Sequence, residues 1–334
     1  MVAVNTDHMS HNGTDADGPG SNGVAGADGS SVGHAGPADP IRSFSWRDYP
    51  LERILAAKGD TTVSVAMPAR NEEATVGPIV ACVHEQLLAA GVVDELLVID
   101  DGSVDSTAQV ASDAGARVVR AGDLLGSHRD GHGKGAVLWK SLLATSGEIV
   151  LWCDTDLVDF EHRLVSGLLG PLLCEDGVDF AKGFYRRPDA DGGGGRVTEL
   201  VAKPLISLLF PELASLVQPL AGEYGGRRSL LEQLPFAAGY GVEIGLLVDI
   251  AQRFGTARMA QVDLEVRHHR NRPLAQLTPQ ATAIMQTALR RVDQTGPARA
   301  PGSDRAGHDG EDELPPMIEV PEYLRRHAPE AVAV

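Results

Sequence analysis

The sequence is poor in basic residues and has no long apolar run. Its 29 Lys and Arg are outnumbered by 46 Asp and Glu, which gives a formal net charge of −17. This charge disfavours broad binding to nucleic acid or anionic lipid, so a phosphate ligand needs a local site made from a few Arg or Lys. No segment is apolar for the length that spans a bilayer, and no basic region precedes an apolar core at the N-terminus. We therefore expect a soluble, cytoplasmic protein without nucleic-acid or membrane partners.

Cysteine is also scarce, since the chain contains only Cys82, Cys153 and Cys174. These residues lie singly, without the paired spacing of a zinc site or the density of a disulfide framework. The pattern predicts reduced, buried thiols.

Both ends of the chain lack the apolar residues that a packed core needs. Residues 1–40 are rich in Gly, Ser, Asn and Asp and contain no Lys or Arg, so burial cannot offset the entropy lost on ordering. Residues 296–334 are again polar, although the part around Met317 to Arg326 is weakly amphipathic. We predict a disordered tail over 1–40, a folded domain over 41–295 and a largely flexible tail over 296–334.

Strands and helices alternate within this domain. Apolar or β-branched runs predict strands at 62–67, 95–99, 117–119, 148–153 and 178–184, and an alternating pattern predicts a strand at 260–266. Helical apolar spacing occurs at 72–90, 105–114, 133–145, 162–173, 196–210, 243–254 and 276–292. Strands separated by helices indicate an α/β fold with a parallel, doubly wound sheet. Ligands of such sheets bind beyond the carboxyl ends of the strands.

Carboxylates follow the first two predicted strands. Glu72 lies at the start of the helix after the first strand, and Asp101 belongs to an Asp-Asp-Gly-Ser run after the second. A carboxylate at a strand end can accept hydrogen bonds from a nucleobase or a ribose. Helix capping and turn formation are alternative explanations for each residue. The spacing between the two runs favours a nucleotide pocket.

Asp154 and Asp156 follow another apolar strand. Residues two apart on an extended chain point the same way, so both carboxylates can meet a hard cation and, through it, a diphosphate. Oxygen ligands suit Mg²⁺ or Mn²⁺ better than zinc. A surface Asx turn is the alternative, but the position after a buried strand favours the metal.

A second phosphate-binding candidate is the run Gly133-Lys134-Gly135, which opens a helix. Such a loop can direct backbone N–H groups and an ammonium toward a phosphate or a nucleobase. It does not match the Walker A pattern.

In this order, these runs resemble the GT-A glycosyltransferases. Four runs in the second half are similar to the actinobacterial glucosyl-3-phosphoglycerate synthases: Gly193–Leu200, Pro219–Tyr224, Gly239–Gly245 and His268–Pro273. The resemblance covers about Arg53 to Arg290. It implies an α/β, GT-A (Rossmann-like) nucleotide-sugar glycosyltransferase fold with a mixed, mainly parallel central sheet. The nucleotide-sugar half is then at about 60–157 and the acceptor half at 158–295.

The resemblance also implies an activity and its residues. Glucose would pass from UDP-glucose to the 2-hydroxyl of 3-phosphoglycerate with retention, in a Mg²⁺- or Mn²⁺-dependent homodimer that serves glucosylglycerate or methylglucose lipopolysaccharide synthesis. The implied donor-binding residues are Pro68, Ala69, Glu72, Asp101, Lys134, Asp154 and Thr155. The implied acceptor-binding residues are Gly195, Arg196, Thr198 and Asn271. The implied metal ligands are Asp154, Asp156 and His269. The implied catalytic residues are Asp156, Tyr240 and Glu243.

Residue chemistry is compatible with these roles and leaves alternatives open. The run Gly-Gly-Gly-Arg196-Val-Thr198 offers Arg and backbone donors at a helix start, which suits a small anion, although a flexible loop with a cap has the same composition. His269 is alternatively a solvated basic residue. For Glu243 the alternative is helix capping.

Three departures from the family pattern bear on the donor. Asp101 and Thr155 each stand where the family usually has Ser, and the loop between Arg187 and Gly193 is shortened. The first two could change donor preference, for example toward a GDP-sugar. An inverting polyprenyl-phosphate or polysaccharide glycosyltransferase would share the first-half runs, and a silent nucleotide-sugar-binding protein would bind UDP without turnover.

Overall fold

The computed structural model describes residues 40–125, 133–186, 195–267, 277–295 (side chains to 292) and 313–327. In these ranges the strands are β1 (Arg42–Ser45), β2 (Val63–Ala69), β3 (Glu95–Asp100), β4 (Arg117–Arg120), β5 (Ile149–Trp152), β6 (Phe180–Arg186), β7 (Tyr224–Arg227), β8 (Phe236–Ala237), β9 (Met259–Val266) and β10 (Glu313–Leu314). The α-helices are α1 (Leu51–Lys58), α2 (Val76–Val83), α3 (Thr107–Asp113), α4 (Lys134–Ala144), α5 (Arg163–Cys174), α6 (Lys203–Leu209), α7 (Arg228–Leu231), α8 (Val242–Phe254), α9 (Thr278–Thr295) and α10 (Pro321–His327).

Within the described ranges, eight strands form one sheet in the order β1-β9-β6-β7-β5-β2-β3-β4. Only β7 runs antiparallel to its neighbours, β5 and β6, whereas the other pairs are parallel. The sheet is therefore mixed and mainly parallel, as the family resemblance implies, whereas the alternation of strands and helices predicted a parallel sheet. The carboxyl ends of β2, β3, β5, β6 and β9 lie at one edge, and β7 begins at that edge.

The sheet has an apolar layer on each face. Successive residues of a strand point to opposite faces, and β5 shows the result: Val150 and Trp152 enter one layer, whereas Ile149 and Leu151 enter the other. All four are buried. Burial on both faces explains why the central strands are continuous apolar runs instead of alternating ones.

Helix α4 is buried over almost its whole length, from Gly135 to Ala144. Arg228 closes its carboxyl end, because the guanidinium donates to the carbonyl oxygens of Leu142 (2.7 Å) and Gly147 (2.6 Å). A cation at this end also complements the helix dipole. The helix is thereby fixed between the sheet and the second half of the chain.

The sequence predicted the main strands and helices but missed several short elements. Strands β1, β7 and β8 and helix α1 were not expected. The strand β7, Tyr-Gly-Gly-Arg, has no apolar run, and two glycines allow it to lie between β5 and β6. A Cβ on Gly225 would come within 2.2 Å of the Val150 carbonyl oxygen. This strand therefore depends on close backbone packing against its neighbours, and a hydrophobic pattern does not reveal such packing.

The described part of the C-terminal segment differs from the flexible tail predicted over 296–334. Strand β10 pairs with β8, and Trp139 Nε1 donates to the Pro315 carbonyl oxygen at 2.7 Å. The side chains of Met317 and Tyr323 are buried. The sequence shows only weak amphipathicity here, and these apolar residues are too few to form a core alone, so their packing against α4 was not predicted. The predicted N-terminal tail lies outside the described residues, except for Pro40.

No helix in the described part of the chain is long and apolar enough to cross a membrane. Cys153 is buried, and Cys82 and Cys174, predicted to be buried, are only partly so; none of the three forms a disulfide.

Replacing Met317 by Ala tests whether the C-terminal segment contributes to folding. Because Met317 is fully buried, we expect Met317→Ala to lower the free energy of unfolding in urea by about 2–5 kcal/mol. The control is Leu324→Ala, since Leu324 is 51% exposed, and this change should cost well under about 1 kcal/mol. Equal effects of the two changes would contradict the packing described.

Candidate functional site

A cavity of about 630 Å³ opens at the carboxyl edge of the sheet. Residues predicted from the sequence line it: Pro68, Ala69, Glu72, Asp101, Lys134, Asp154, Thr155, Asp156, Gly195, Arg196, Thr198, Tyr240 and Glu243. The remaining two predicted residues, His269 and Asn271, lie outside the described residues. The fold thus gathers at one cavity groups that are up to 175 positions apart (68 to 243).

Lys134 links two carboxylates at the floor of the cavity. Its Nζ lies 2.7 Å from Asp154 Oδ1 and 2.8 Å from Glu243 Oε1. Burial by itself would lower the pKa of Lys134, but the charges of Asp154 and Glu243 outweigh it and raise the pKa well above its usual value. Lys134 is therefore a fixed positive charge.

The glycines around Lys134 permit this position. Gly133 has a φ of 99°, which L side chains rarely adopt. A Cβ on Gly135 would lie 1.8 Å from the Ala237 carbonyl oxygen. The helix start therefore packs directly on β8, where Ala136 N donates to the Ala238 carbonyl oxygen at 2.8 Å.

Arg267 holds the other side of the aspartate pair. It follows β9, and its Nη2 lies 3.4 Å from both Asp154 Oδ2 and Asp156 Oδ1. Its Nη1 lies 3.2 Å from Glu223 Oε2 and also donates to the Tyr185 hydroxyl. The Arg267 side chain is only 4% exposed, so its charge acts on these groups with little screening by water.

The two aspartates differ in their surroundings. Both oxygens of Asp154 face cations, Lys134 on one side and Arg267 on the other. Burial would raise the pKa of Asp154, but these two cations lower it below its ordinary value. Asp156 is more open, with 35% of its side chain exposed against 23% for Asp154. Asp156 is accordingly the carboxylate better placed to meet a ligand.

Glu223 lies beneath this pair and is fully buried. Burial raises the pKa of Glu223, although the Arg267 charge opposes this. Its Oε1 has no hydrogen-bond partner within the described part of the chain. The contact with Arg267 is thus the main compensation for burying this carboxyl.

Lys182, on β6, contrasts with Lys134. It is fully buried, its Nζ donates to the Ala221 carbonyl oxygen at 2.8 Å, and this atom lies 4.1 Å from the centroid of the Tyr224 ring. Burial lowers the pKa of Lys182 to about 7, since the acidic groups that raise it, of which Glu243 is the strongest, do not compensate. Lys134 is therefore a fixed cation, whereas the buried Lys182 has a pKa near neutral pH.

The residues predicted to bind a nucleotide lie on connected loops. Thr155 Oγ1 donates to the Pro68 carbonyl oxygen at 2.8 Å, and Asp101 N donates to the Ala69 carbonyl oxygen at 2.9 Å. Arg70 Nη1 lies 3.8 Å from Asp101 Oδ2. These bonds join the segments after β2, β3 and β5 at one side of the cavity.

The donor set at Asp154 and Asp156 fits a hard divalent cation in its chemistry, because both ligands are carboxylates. No group of three His, Cys, Asp or Glu in the described ranges is arranged to hold a metal. A third protein ligand would have to come from elsewhere, and the predicted one, His269, is outside those ranges.

The sequence reasoning missed Arg267 and the roles of Glu223 and Gly222. Arg267 directly follows strand β9, and Asp154 lies two residues after the end of β5, so a position just after a strand was the signal that could have identified Arg267. Gly222 matters through its missing side chain, since a Cβ there would lie 1.8 Å from Asp154 Oδ2. Such a contact cannot be read from a local pattern.

Comparison with known proteins gives consistent matches. Glycosyl transferase family 2 matches residues 64–239. The glucosyl-3-phosphoglycerate synthase of Mycolicibacterium smegmatis is 50% identical over 260 residues, which are 75% of this chain and 85% of that protein.

Two crystal structures are similar to most of this chain. Glucosyl-3-phosphoglycerate synthase from Mycobacterium tuberculosis, in complex with Mn²⁺, UDP-glucose and phosphoglyceric acid, matches with a TM-score of 0.74 at 42% identity, covering 84% of this chain and 99% of that one. Mannosyl-3-phosphoglycerate synthase from Rubrobacter xylanophilus matches with a TM-score of 0.76 at 39% identity, covering 84% and 97%. These matches confirm the predicted GT-A fold.

Replacing Gly222 by Ala tests the packing against Asp154. The added Cβ would displace the carboxylate from Lys134 and Arg267, so we expect Gly222→Ala to lower the free energy of unfolding by about 1–3 kcal/mol. Gly122→Ala is the control, because a Cβ at Gly122 meets nothing within 4 Å, and its effect should be within about 0.5 kcal/mol. A Gly222→Ala protein as stable as the wild type would contradict the close contact.

The pKa of Lys182 predicts a pH dependence of stability. Between pH 7 and 10.5 the unfolded chain carries a proton on Lys182 that the folded chain has lost. Linkage then makes stability rise with pH in this window, by at most about 1.4 kcal/mol per pH unit. We expect the free energy of unfolding of wild type minus Lys182→Met, measured in urea, to increase from pH 7 to 9. The other titrating groups are common to both proteins, and a constant difference would contradict the lowered pKa.

Proposed function

The chain belongs to glycosyl transferase family 2 and to the glucosyl-3-phosphoglycerate synthases, and we propose on this basis that it transfers glucose from UDP-glucose to the 2-hydroxyl of 3-phosphoglycerate with retention. The observation that carries the proposal is a single cavity that combines the Asp154–Asp156 pair, bracketed by cations, with the segment Gly195–Thr198. A sugar diphosphate and a small phosphorylated acid are both anionic, so each needs cationic groups in its binding site.

We assign the donor to the side of the cavity formed by the loops after β2, β3 and β5. Glu72 and Asp101 would accept hydrogen bonds from the uridine, and the backbone at Pro68 and Ala69 would pack against it. Thr155 fixes this backbone through its bond to the Pro68 carbonyl oxygen. Related structures contain Mn²⁺ or Mg²⁺ together with UDP, which supports a metal-dependent donor site.

The residues that would hold the metal are Asp156, Asp154 and His269. A bound Mg²⁺ or Mn²⁺ supplies charge neutralisation for the departing UDP. The protein adds to this from its own residues, because the partly buried Lys134 and the buried Arg267 are cations next to the carboxylates. Fixed charges of this kind stabilise developing negative charge without reorganising.

We assign the acceptor to Gly195, Arg196, Thr198 and Asn271. An arginine can bind a carboxylate or phosphate through two parallel hydrogen bonds, and backbone N–H groups at a helix start also attract anions. Tyr240 and Glu243 would contact the glucose. Lys134 Nζ lies 2.8 Å from Glu243 Oε1. This ion pair would hold the Glu243 carboxylate in one orientation beside the sugar.

Retention can arise by two routes. A double displacement needs a carboxylate nucleophile beneath the anomeric carbon. The carboxylates Asp154 and Glu243 are each engaged by Lys134, which lowers their nucleophilicity. We therefore favour a front-face route, in which the acceptor hydroxyl attacks the anomeric carbon from the same side as the departing diphosphate.

A different sugar donor is the second candidate. The observation that favours it is the similarity to a mannosyl-3-phosphoglycerate synthase at 39% identity, together with the unusual Asp101 and Thr155.

We further propose, from the family resemblance, that the protein acts as a homodimer in the cytoplasm and supplies glucosylglycerate or methylglucose lipopolysaccharide synthesis.

The direct test is to incubate the protein with Mg²⁺, 3-phosphoglycerate and a panel of UDP-, GDP- and ADP-sugars. We expect mass spectrometry to detect glucosyl-3-phosphoglycerate with UDP-glucose, and NMR to show an α-linkage. A β-linked product would overturn retention. UDP binding without any turnover would indicate a silent binding protein instead.

Asp156→Asn should abolish most of this activity. The change removes the charge of the more open carboxylate, so we expect kcat to fall about a hundredfold or more. Asp60→Asn is the control, because Asp60 is exposed and is not among the described cavity residues. Unchanged turnover in Asp156→Asn would exclude the assigned role.

A further inference from the structure

Two loops of the donor side leave the sheet next to each other. Strands β2 and β3 pair in parallel up to Ala69 and Asp100, so the loop at 70–75 and the loop at 101–106 begin side by side. Each loop contributes a carboxylate to the cavity, Glu72 from the first and Asp101 from the second. The relative position of the loops therefore determines the distance between these two groups.

Asn71 joins the two loops through two hydrogen bonds, one donated by its backbone and one accepted by its side chain. Its backbone N donates to Ser103 Oγ at 3.0 Å, and its side-chain Oδ1 accepts from Val104 N at 2.9 Å. Asn71 has a φ of 57°, in the left-handed region that Gly, Asn and Asp adopt most readily. This conformation and the side-chain bond together explain the need for Asn at this position.

A second group of bonds extends the connection. Glu73 Oε2 accepts from Ser106 N at 3.0 Å, and Glu73 N donates to Asp105 Oδ2 at 3.3 Å. Thr107 Oγ1 accepts from Glu72 N at 2.8 Å and donates to Asp105 Oδ1 at 2.5 Å. Side chains of each loop thus satisfy the backbone of the other.

We name the set Asn71, Glu73, Ser103, Asp105 and Thr107 the loop clasp. None of its members is among the described residues that line the cavity, whereas Glu72 and Asp101 are. A group that fixes both loops without facing the ligand acts through the residues that do.

We propose that the loop clasp is a positioning unit for nucleotide binding, and that Asn71 sets the separation of Glu72 and Asp101 before the donor arrives. Preformed loops avoid the ordering cost that a nucleotide would otherwise have to offset. The inference rests on the proposed function, since it assigns the two loops to the UDP part of the donor. It predicts an effect on the donor that is separate from any effect on the acceptor or on the chemical step.

Asn71→Gly is the informative change, because Gly keeps the left-handed backbone and removes Oδ1. By isothermal titration calorimetry with Mg²⁺, we expect the Kd for UDP to rise about threefold to tenfold, the range for one lost hydrogen bond. The KM for UDP-glucose should rise in parallel, while kcat and the KM for 3-phosphoglycerate stay unchanged. Asn71→Asp retains an acceptor oxygen and should restore most of the UDP affinity.

Ser106→Ala is the matched control, because Ser106 contributes its backbone N–H to the connection and its side chain makes no cap bond. It should leave the Kd for UDP unchanged. The inference is overturned if Asn71→Gly lowers the Tm but binds UDP as the wild type does, since the clasp would then be only structural. In that case the wild type still transfers glucose and the proposed function stands. A wild type that binds no UDP would overturn both.

Discussion

Asp154 lies between two cations, the partly buried Lys134 and the buried Arg267, and the arrangement of the site depends on this contact. Lys134 lies 2.7 Å from one carboxylate oxygen and Arg267 lies 3.4 Å from the other. A charge in a poorly hydrated environment is costly unless it is paired, so the loss of any one of the three would leave the others uncompensated. Gly222 allows the contact, because any side chain there would occupy the place of the Asp154 carboxylate.

Each member of this charge cluster has its own structural support. Glu223 and Tyr185 hold Arg267, and the glycines next to Lys134 let α4 lie directly on β8. Strand β8 is paired in turn with β10, near the C-terminal end of the chain. The start of α4, which carries Lys134, is thus connected through β8 to residues of the C-terminal segment.

The fold could largely be predicted because its main signals are local. Apolar runs such as β5 and helical spacing such as that of α8 are recorded in the sequence itself. Strand β7 could not be found in this way, because its Gly-Gly pair is selected by close packing between neighbouring strands. The helices α9 and α4 were predicted within a few residues of their observed ends, which is the usual precision of boundaries defined by fraying turns.

The sequence by itself determined which chemical groups this protein has and where its main apolar strands end: motif and position singled out Asp154, Asp156 and Lys134, and the family resemblance added Glu243 and Arg196. Their type and local spacing suffice because strand ends in a parallel sheet converge at one edge. Only the tertiary structure decided which of these groups pair with each other and which stay open to a ligand. It pairs Asp154 with Lys134 and Arg267, leaves Asp156 more open, and lowers the pKa of Lys182 but not of Lys134. The physical reason is that charge interactions and burial depend on distances between residues that are far apart in the sequence. Those distances are set by the fold and cannot be read from the order of residues along the chain.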